Sequence, residues 1–262
     1  MKIPFYKYHG AGNDFILIDN RNHDFDRVKS TDTVHRLCHR HFGIGADGLM
    51  FLEKDSEADF DMIYYNADGN PGSLCGNGGR CIAALAYRLG LAGELTRFKA
   101  SDGLHEARIV RPDYVELKMN PVAWIELHDH HAVLNTGSPH YISLVSGLAD
   151  FPVVEKGREI RYSDRFPGGI NVNFVEKEND RFLIRTYERG VEDETWACGT
   201  GATAAALALA ELDKTNGEKE ITLQARGGPL TVRFERLGPG RYDQIWLCGE
   251  AVQVYEGQIN IS

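Results

Sequence analysis

The sequence lacks the excess of basic residues that marks a nucleic-acid-binding surface. Its 262 residues include 29 Lys and Arg against 38 Asp and Glu, which gives a formal net charge of −9 at pH 7. A chain with this balance repels phosphate backbones and anionic lipid headgroups. We therefore predict no nucleic-acid partner and no membrane partner, and we expect the substrate to be a small molecule.

Long apolar runs are also missing. The longest, Ala204 to Ala210, is mostly alanine and falls far short of the roughly 20 residues that a bilayer span needs. The segment Met1 to His9 contains no unbroken apolar stretch of the kind found in an export signal. These two absences lead us to expect a cytoplasmic protein.

Cysteine is scarce, and the cysteines fit no closed zinc pattern. Five are present, an odd count that favours reduced thiols over a disulfide framework in a protein without an export signal. His35, Cys38, His39 and His41 fall within one predicted helix, where a solvated face with a buried Cys38 is the simpler interpretation. We predict no bound metal.

The predicted elements occur in two similar series. Short runs rich in β-branched and aromatic residues alternate with a few helices, and the pattern restarts near Asn120. Ser30 is positioned to cap a helix that reaches about His41, and Gly90 to end a helix that begins near Cys75. These features predict an α+β protein made of two related halves.

One motif is repeated in both halves. Cys75-Gly76-Asn77-Gly78 and Cys198-Gly199-Thr200-Gly201 each have the form C-G-x-G and each precede an alanine-rich segment, 123 residues apart. Such a spacing, close to half the chain, indicates an internal duplication. Two matched copies are difficult to explain by core packing alone.

The repeated motif suggests acid–base chemistry at an anion-binding site. Glycines let backbone amides approach a carboxylate at a helix N-terminus, and the same terminus lowers the pKa of a cysteine thiol. A thiolate that removes an α-proton, paired with a thiol that returns one to the other face, would racemise an amino acid without a cofactor. Two alternatives are a buried cysteine that merely caps each helix and a Cys75–Cys198 disulfide, which would be an inactive form.

The sequence closely resembles the diaminopimelate epimerases over nearly its whole length. The shared motifs follow in the family's order, and the second C-G-x-G turn completes the series. They are His9-Gly10-Ala11-Gly12-Asn13-Asp14-Phe15, Gly43-Ile44-Gly45-Ala46-Asp47-Gly48, Asn66-Ala67-Asp68-Gly69, Cys75-Gly76-Asn77-Gly78-Gly79-Arg80-Cys81, Gly137-Ser138-Pro139-His140, Ile170-Asn171-Val172, Glu188-Arg189-Gly190 and Glu194-Thr195-Trp196-Ala197-Cys198-Gly199-Thr200-Gly201.

The resemblance implies an architecture and a reaction. The fold would consist of two pseudo-symmetric α+β domains, each a β-barrel-like sheet around a central helix, with the active site in the cleft between them. Residues 1–118, joined by a C-terminal strand at 250–262, would form one half and residues 119–249 the other. The reaction would be interconversion of LL- and meso-2,6-diaminopimelate for lysine and peptidoglycan biosynthesis, without pyridoxal phosphate, metal or nucleotide. A homodimer is one assembly compatible with this interpretation.

The resemblance also implies roles for matching positions. Cys75 and Cys198 would be the acid–base pair. The substrate would be bound by Asn13, Asn66, Gly76, Asn77, Asn171, Glu188, Arg189, Gly199 and Thr200, with Gly48, Ser138 and His140 as weaker candidates. Two of these depart from the family pattern, which has glutamine at the position of Gly48 and asparagine at that of Ser138.

Three alternatives remain open from the sequence. A proline or hydroxyproline racemase would share the fold and the two cysteines, and a non-catalytic relative would retain amino-acid binding only. Asn173 lies two residues after Asn171 and would share its face of a strand, so the two could exchange roles.

The segment Gly43 to Gly48 fits a dinucleotide fingerprint formally, but it follows a helix and precedes a strand, which is the wrong context.

Overall fold

The computed structural model describes residues 1–72, 74–212, 214–215 and 217–261; residues 73, 213, 216 and 262 lie outside the described residues. The α-helices are α1 (Thr31–Cys38), α2 (Gly76–Arg88), α3 (Val153–Arg161) and α4 (Gly199–Glu211). The strands are β1 (Lys2–Gly10), β2 (Asn13–Asp19), β3 (Gly48–Glu53), β4 (Phe60–Asn66), β5 (Leu95–Ala100), β6 (Gly103–Arg111), β7 (Tyr114–Lys118), β8 (Ile125–Leu127), β9 (His131–Asn135), β10 (Pro139–Leu144), β11 (Asn171–Glu178), β12 (Arg181–Glu188), β13 (Asp193–Thr195), β14 (Glu220–Ala225), β15 (Gly228–Gly238), β16 (Arg241–Glu250) and β17 (Val252–Asn260).

The chain divides into two compact units. The first comprises Met1–Leu117 with Gly249–Ser262, and the second comprises Lys118–Cys248. Within the first unit, β1 pairs with β17 along nearly its whole length, from Lys2 opposite Asn260 to His9 opposite Val252. The last strand of the chain therefore belongs to the first unit.

The two units repeat one pairing scheme. In the first, β1 to β7 pair successively, antiparallel except for the parallel pairs β2–β3 and β4–β5. In the second, β9, β10, β11, β12, β14, β15 and β16 pair in the same senses, with β10–β11 and β12–β14 parallel. The prediction of two related sheet-rich α+β halves is confirmed.

Each unit is built around one helix of small residues. In α2 the residues from Gly76 to Ala86 are all buried, and the helix contacts β1, β2, β3 and β6. In α4 the buried residues include the alanine run from Ala204 to Ala206, and contacts reach β9, β10, β11, β14 and β15. Alanine and glycine allow strands to approach these helices closely, so sequence composition accounts for their central position.

Helix α1 is shorter than the sequence predicted. Ser30 caps it as expected, with its hydroxyl oxygen accepting from the backbone N–H of Thr33 at 3.4 Å. The helix ends at Cys38 because His39 is extended and its ring accepts the backbone N–H groups of His41 and Phe42. The prediction that the helix reaches about His41 and includes His39 is therefore wrong, whereas the expected burial of Cys38 is confirmed.

Helix α2 begins and ends as the sequence predicted. Its first residue is Gly76, and Gly90 follows its C-terminus with a positive φ of 69°. Among the described residues, no helix combines the length and apolar character needed to cross a membrane.

Candidate active site

The two C-G-x-G motifs form the same backbone turn. Cys75 immediately precedes α2 with φ −98° and ψ 124°, and Cys198 immediately precedes α4 with φ −113° and ψ 114°. In each turn the cysteine carbonyl accepts the N–H four residues later, at 2.7 Å and 2.9 Å. The amides that follow each cysteine are first-turn amides, whose N–H groups have no carbonyl partner within the helix and suit an anion.

A side-chain hydrogen bond at the same position supports each turn. Arg80, five residues after Cys75, donates to the carbonyl of Gly76 at 3.3 Å. Thr203, five residues after Cys198, donates to the carbonyl of Gly199 at 3.0 Å. The duplication has thus kept the contact while changing the residue that makes it.

The second glycine of each motif makes room for a strand residue. A Cβ on Gly78 would lie 2.1 Å from Cε of Met50, the third residue of β3. A Cβ on Gly201 would lie 2.3 Å from Oδ1 of Asn173, the third residue of β11. The matched strand position is therefore apolar in the first unit and polar in the second.

Asn13 connects β2 to the Cys75 turn. Its Oδ1 lies 3.4 Å from Sγ of Cys75, which donates to it, and 3.3 Å from Nδ2 of Asn77. Its Nδ2 donates to Oδ2 of Asp47 at 2.7 Å. This places two predicted substrate-binding residues, Asn13 and Asn77, beside the predicted catalytic thiol.

A charged network lies behind Asn13. The guanidinium of Arg40 donates to both Asp14 and Asp47, and Lys7 pairs with Asp14 at 2.6 Å. Burial raises the pKa of Asp14, but hydrogen bonds from Arg40 and Lys7 outweigh that effect and lower the pKa from 3.8 to about 2. The network fixes the loop that carries Asp47.

Arg80 is fully buried inside the first unit. Besides the Gly76 carbonyl, it donates to Oδ1 of Asn77 at 2.8 Å. A buried guanidinium needs polar partners, since leaving water is otherwise costly. Arg80 therefore orients the Asn77 side chain, whose amide group then faces Asn13.

In the second unit, a chain of polar groups leads to Cys198. The Oγ1 of Thr200 lies 3.4 Å from Sγ of Cys198 and 2.9 Å from Nε2 of His140. The other ring nitrogen of His140 accepts from Nδ2 of Asn173 at 3.1 Å. The Oδ1 of Asn173 accepts from the hydroxyl of Thr186 at 2.9 Å.

Burial keeps His140 uncharged. The residue is completely inaccessible to solvent, and desolvation, with a smaller contribution from the charge of Arg189, lowers its pKa from 6.5 to about 3. At neutral pH the imidazole is therefore neutral and has one donor and one acceptor nitrogen.

Three further predicted residues meet at the end of β12. The Oδ1 of Asn171 accepts the backbone N–H of Arg189 at 2.9 Å, and its Nδ2 donates to the carbonyl of Pro139 at 3.1 Å. Glu188 accepts from the hydroxyl of Thr195 at 2.9 Å. Asn171 is buried and Arg189 is exposed, so the first supports the backbone of the second.

Ser138 lies in the turn before β10. Its carbonyl accepts the N–H of Thr136 at 3.2 Å, and the hydroxyl of Thr136 donates to the carbonyl of Thr200 at 2.8 Å. The turn is thereby connected to the start of α4.

Gly48 and Asn66 are paired across β3 and β4. A Cβ on Gly48 would lie 2.5 Å from the ring of Tyr64, so a tyrosine occupies the space of a side chain at position 48. Asn66, at the end of β4, is exposed. The structure thus gives a steric reason for glycine at position 48.

The remaining cysteines are core residues. Cys38, Cys81 and Cys248 are buried. Burial raises the pKa of the thiols of Cys38 and Cys81 to about 12. The prediction that Cys81 faces the core is confirmed.

Sequence analysis missed four residues that shape the two turns: Asp47, Arg80, Met50 and Asn173 as a partner of His140. A signal was available for Arg80, since a charged residue at the start of an alanine-rich helix implies buried polar partners. For Met50 no sequence signal distinguishes it from other strand residues.

One group of possible metal ligands occurs among the described residues. Atoms of His23, Asp26 and Glu53 lie within 4.8 Å of one another. The ammonium of Lys29 already pairs with Asp26 at 2.8 Å and Glu53 at 2.6 Å. A protein cation therefore balances these carboxylates.

Sequence comparisons with a family model and with curated proteins give the same family. The family model described as diaminopimelate epimerase matches twice, at residues 5–125 and 132–252. A diaminopimelate epimerase from Flavobacterium psychrophilum is 48% identical over 98% of this chain and 100% of that protein. A diaminopimelate epimerase from Chlorobaculum tepidum is 43% identical over 96% of this chain and 99% of that protein.

A solved structure shares the fold at low identity. The Bacillus anthracis phenazine biosynthesis protein of the PhzF family superimposes with a TM-score of 0.76 at 16% identity, covering 100% of both chains. At this identity the likeness concerns the fold alone.

Proposed function

The chain belongs to the diaminopimelate epimerase family, and we propose from this membership that it interconverts LL- and meso-2,6-diaminopimelate without a cofactor. We assign the acid–base roles to Cys75 and Cys198. The observation that carries this assignment is the pair of identical cysteine turns at the N-termini of α2 and α4.

The proposed reaction is a proton transfer in two parts. A thiolate removes the α-proton, and the electron pair of the broken C–H bond stays on the substrate, delocalised into its carboxylate. The thiol of the other cysteine then gives its proton to the opposite face of the same carbon, which inverts it. The two sulfurs end with their protonation states exchanged.

Backbone amides would hold the reacting carboxylate. First-turn amides of Gly76, Asn77, Gly199 and Thr200 suit this task, because helix N-termini stabilise negative charge as it develops. This contribution is needed because the α-proton of an amino acid is only weakly acidic.

The far end of the substrate would be bound by the remaining polar candidates. The guanidinium of Arg189 suits a carboxylate, while Glu188, Asn66 and Asn171 offer oxygens to an ammonium group. Support comes from the contacts of Asn171, which fix the backbone of Arg189. Ser138, His140 and Gly48 stay weaker candidates in this assignment.

We further propose that each half, 1–118 with 250–262 and 119–249, supplies one cysteine to the reaction. A cytoplasmic location and a homodimeric assembly stay predictions from the sequence.

The test of this function is proton NMR in D2O with the reduced protein and no added cofactor. With LL-diaminopimelate we expect loss of the α-proton signal and appearance of the meso isomer. Exchange with proline instead would assign the protein to the proline racemases. Exchange with neither substrate, from cysteines shown to be reduced, would overturn the catalytic proposal in favour of amino-acid binding.

Arg189 distinguishes diaminopimelate from a substrate without a second amino-acid end. Replacing Arg189 with Met removes the bidentate partner of the distal carboxylate, so kcat/KM for diaminopimelate should fall by about 10-fold to 100-fold, as a lost charge-assisted hydrogen bond predicts. The matched control is Arg181→Met, also on an exposed arginine of the second unit. Equal kinetics of the two variants would remove Arg189 from the site.

A further inference from the structure

The donor and acceptor in each hydrogen bond of the series that leads to Cys198 can be assigned, starting from Asn173. Its Nδ2 lies 3.2 Å from the carbonyl of Tyr141, which can only accept, and its Oδ1 accepts from Thr186. The orientation of the Asn173 amide is therefore determined by its partners. Since the same Nδ2 lies 3.1 Å from Nδ1 of His140, that ring nitrogen must accept and carries no hydrogen.

The direction continues through His140 to Cys198. A neutral imidazole with an unprotonated Nδ1 has its hydrogen on Nε2, which donates to Oγ1 of Thr200 at 2.9 Å. The hydroxyl hydrogen of Thr200 is then directed to another acceptor, and Sγ of Cys198 lies 3.4 Å away. A donated hydrogen bond stabilises the thiolate form of a cysteine.

The hydrogen bonds of the first unit have the opposite direction at the sulfur. The carboxylate of Asp47 accepts from Nδ2 of Asn13, and Arg80 donates to Oδ1 of Asn77, which turns the Asn77 amide hydrogens towards Asn13. Both contacts place the Oδ1 of Asn13 towards Cys75, 3.4 Å from its sulfur. An amide oxygen only accepts, so it stabilises the thiol form.

Each unit also contains other titratable and charged groups. Those of the first unit are Lys7, Asp14, Arg40, Asp47, Arg80 and the thiol of Cys81. Those of the second unit are His140, Arg185, Glu188, Arg189, Glu194 and Arg226. Each set contains cations and acids, and both cysteines immediately precede a helix, whereas the hydrogen bonds described at the two sulfurs have opposite directions.

We propose that, in the ligand-free protein, Cys198 rests as the thiolate and Cys75 rests as the thiol. The catalytic meaning rests on the proposed function: in one direction of the reaction Cys198 would take the proton and Cys75 would give one, and the opposite direction would begin from the exchanged protonation state. Asn173, Asp47 and Arg80 are positioning residues, because they set the direction of hydrogen bonds made by other side chains.

The test is site-resolved alkylation of the wild-type protein with iodoacetamide across a pH series, read by peptide mass spectrometry. We expect the midpoint pH for Cys198 to lie at least about one unit below that for Cys75, a tenfold difference in thiolate equilibrium. Equal midpoints, or a lower one for Cys75, would overturn the proposal. The midpoint is independent of the accessibility of each thiol, which scales only the rate.

Two matched variants of Thr200 test whether its hydroxyl lowers the midpoint pH of Cys198. Thr200→Val removes the donor and should raise the Cys198 midpoint alone, whereas Thr200→Ser keeps the hydroxyl and should retain the wild-type value. An unchanged midpoint in Thr200→Val would contradict the donor role. The order of midpoints in the wild-type protein decides the main proposal whether or not a variant folds.

A double-mutant cycle tests the hydrogen bonds at Cys75 in the first unit. Asn13→Ala should lower the Cys75 midpoint, because the accepting oxygen is lost. Asp47→Asn alone should also lower the Cys75 midpoint. The same substitution should leave the Cys75 midpoint unchanged when Asn13 is already alanine. A persistent shift in the double variant would mean that Asp47 acts through its charge instead. Alkylation needs no turnover, so failure of the proposed reaction and failure of this asymmetry are separate results.

Discussion

The turns at Cys75 and Cys198 share a backbone conformation but differ in the side-chain contacts of the cysteine sulfur. Both place a cysteine before a buried helix, and both support the following carbonyl through the residue five positions after the cysteine. The sulfur of Cys75 donates to an amide oxygen, whereas that of Cys198 lies beside a hydroxyl whose own oxygen is within reach of a histidine.

The difference begins in the strand behind each turn. Met50 packs against the first turn and Asn173 against the second, at the same position of β3 and β11. A buried asparagine needs partners, and His140 and Thr186 supply them. Duplication therefore preserved the scaffold, while substitutions in the packed strand changed the hydrogen-bond partners near the two sulfurs.

The largest expected effect comes from removing either sulfur. Cys75→Ala and Cys198→Ala should each lower epimerisation by about 100-fold to 10,000-fold, the usual contribution of a positioned acid or base. Rates are measured by NMR from each isomer separately. Cys38→Ala and Cys248→Ala are the matched controls, because they remove buried thiols outside the two turns. Activity near that of the wild type in Cys75→Ala or Cys198→Ala would end the two-thiol mechanism.

The second expected effect is a different pH dependence of the free energy of unfolding in each unit. His140 has a folded pKa of about 3 against an ordinary 6.5, so the unfolded chain binds the additional proton between these values. The free energy of unfolding should therefore decrease as pH falls through this range, by at most about 1.4 kcal/mol per pH unit. Asp14 behaves differently: its contribution is present above about pH 4 and is lost as pH falls towards about 2.

The two pH windows can be observed separately. All three tryptophans, Trp124, Trp196 and Trp246, lie in the second unit, so urea unfolding followed by tryptophan emission reports on that unit. We expect His140→Asn to lose the slope between about pH 6.5 and pH 4, with Asp14→Asn as the control in the other unit. A wild-type slope in His140→Asn would show that His140 is not the group responsible.

The smallest effect concerns the paired glycines. Gly201→Ala places a methyl against Oδ1 of Asn173 and should destabilise the protein by about 1 to 3 kcal/mol, with kcat/KM reduced about tenfold. The only close contact of Gly78→Ala is with the flexible end of Met50, since the ring of Phe15 is at ordinary contact distance, and the better helix propensity of alanine, up to about 1 kcal/mol, offsets it. Urea denaturation and initial rates compare the two variants. Equal losses would mean that the polar side chain behind Gly201 has no special role.

Much of the fold could be predicted from local sequence. The alternating strands, the Ser30 cap, the Gly90 terminator and the repeated cysteine turns all have short-range signals. The end of α1 could not be predicted, because it depends on the ring of His39 accepting two backbone N–H groups. Side-chain contacts of this kind are set by tertiary structure.

For the site, the sequence identified the turns but not their surroundings. Cys75, Cys198, Asn13 and Thr200 are recognisable from motifs, and the structure brings Asn13 and Thr200 beside the two sulfurs. The part played by Asn173 required knowledge of which strand packs behind α4. Hydrogen-bond direction is a property of several partners together, so no single motif records it.

The most direct test of the asymmetry between the turns is carbon-13 NMR of the wild-type protein labelled at the cysteine β-carbons, titrated without ligand. The β-carbon shift distinguishes a thiol from a thiolate without modifying either residue. At pH 7 we expect Cys198 to give the thiolate signal while Cys75 still gives the thiol signal. A thiolate at Cys75, or the same protonation state at both sulfurs, would contradict the proposed asymmetry.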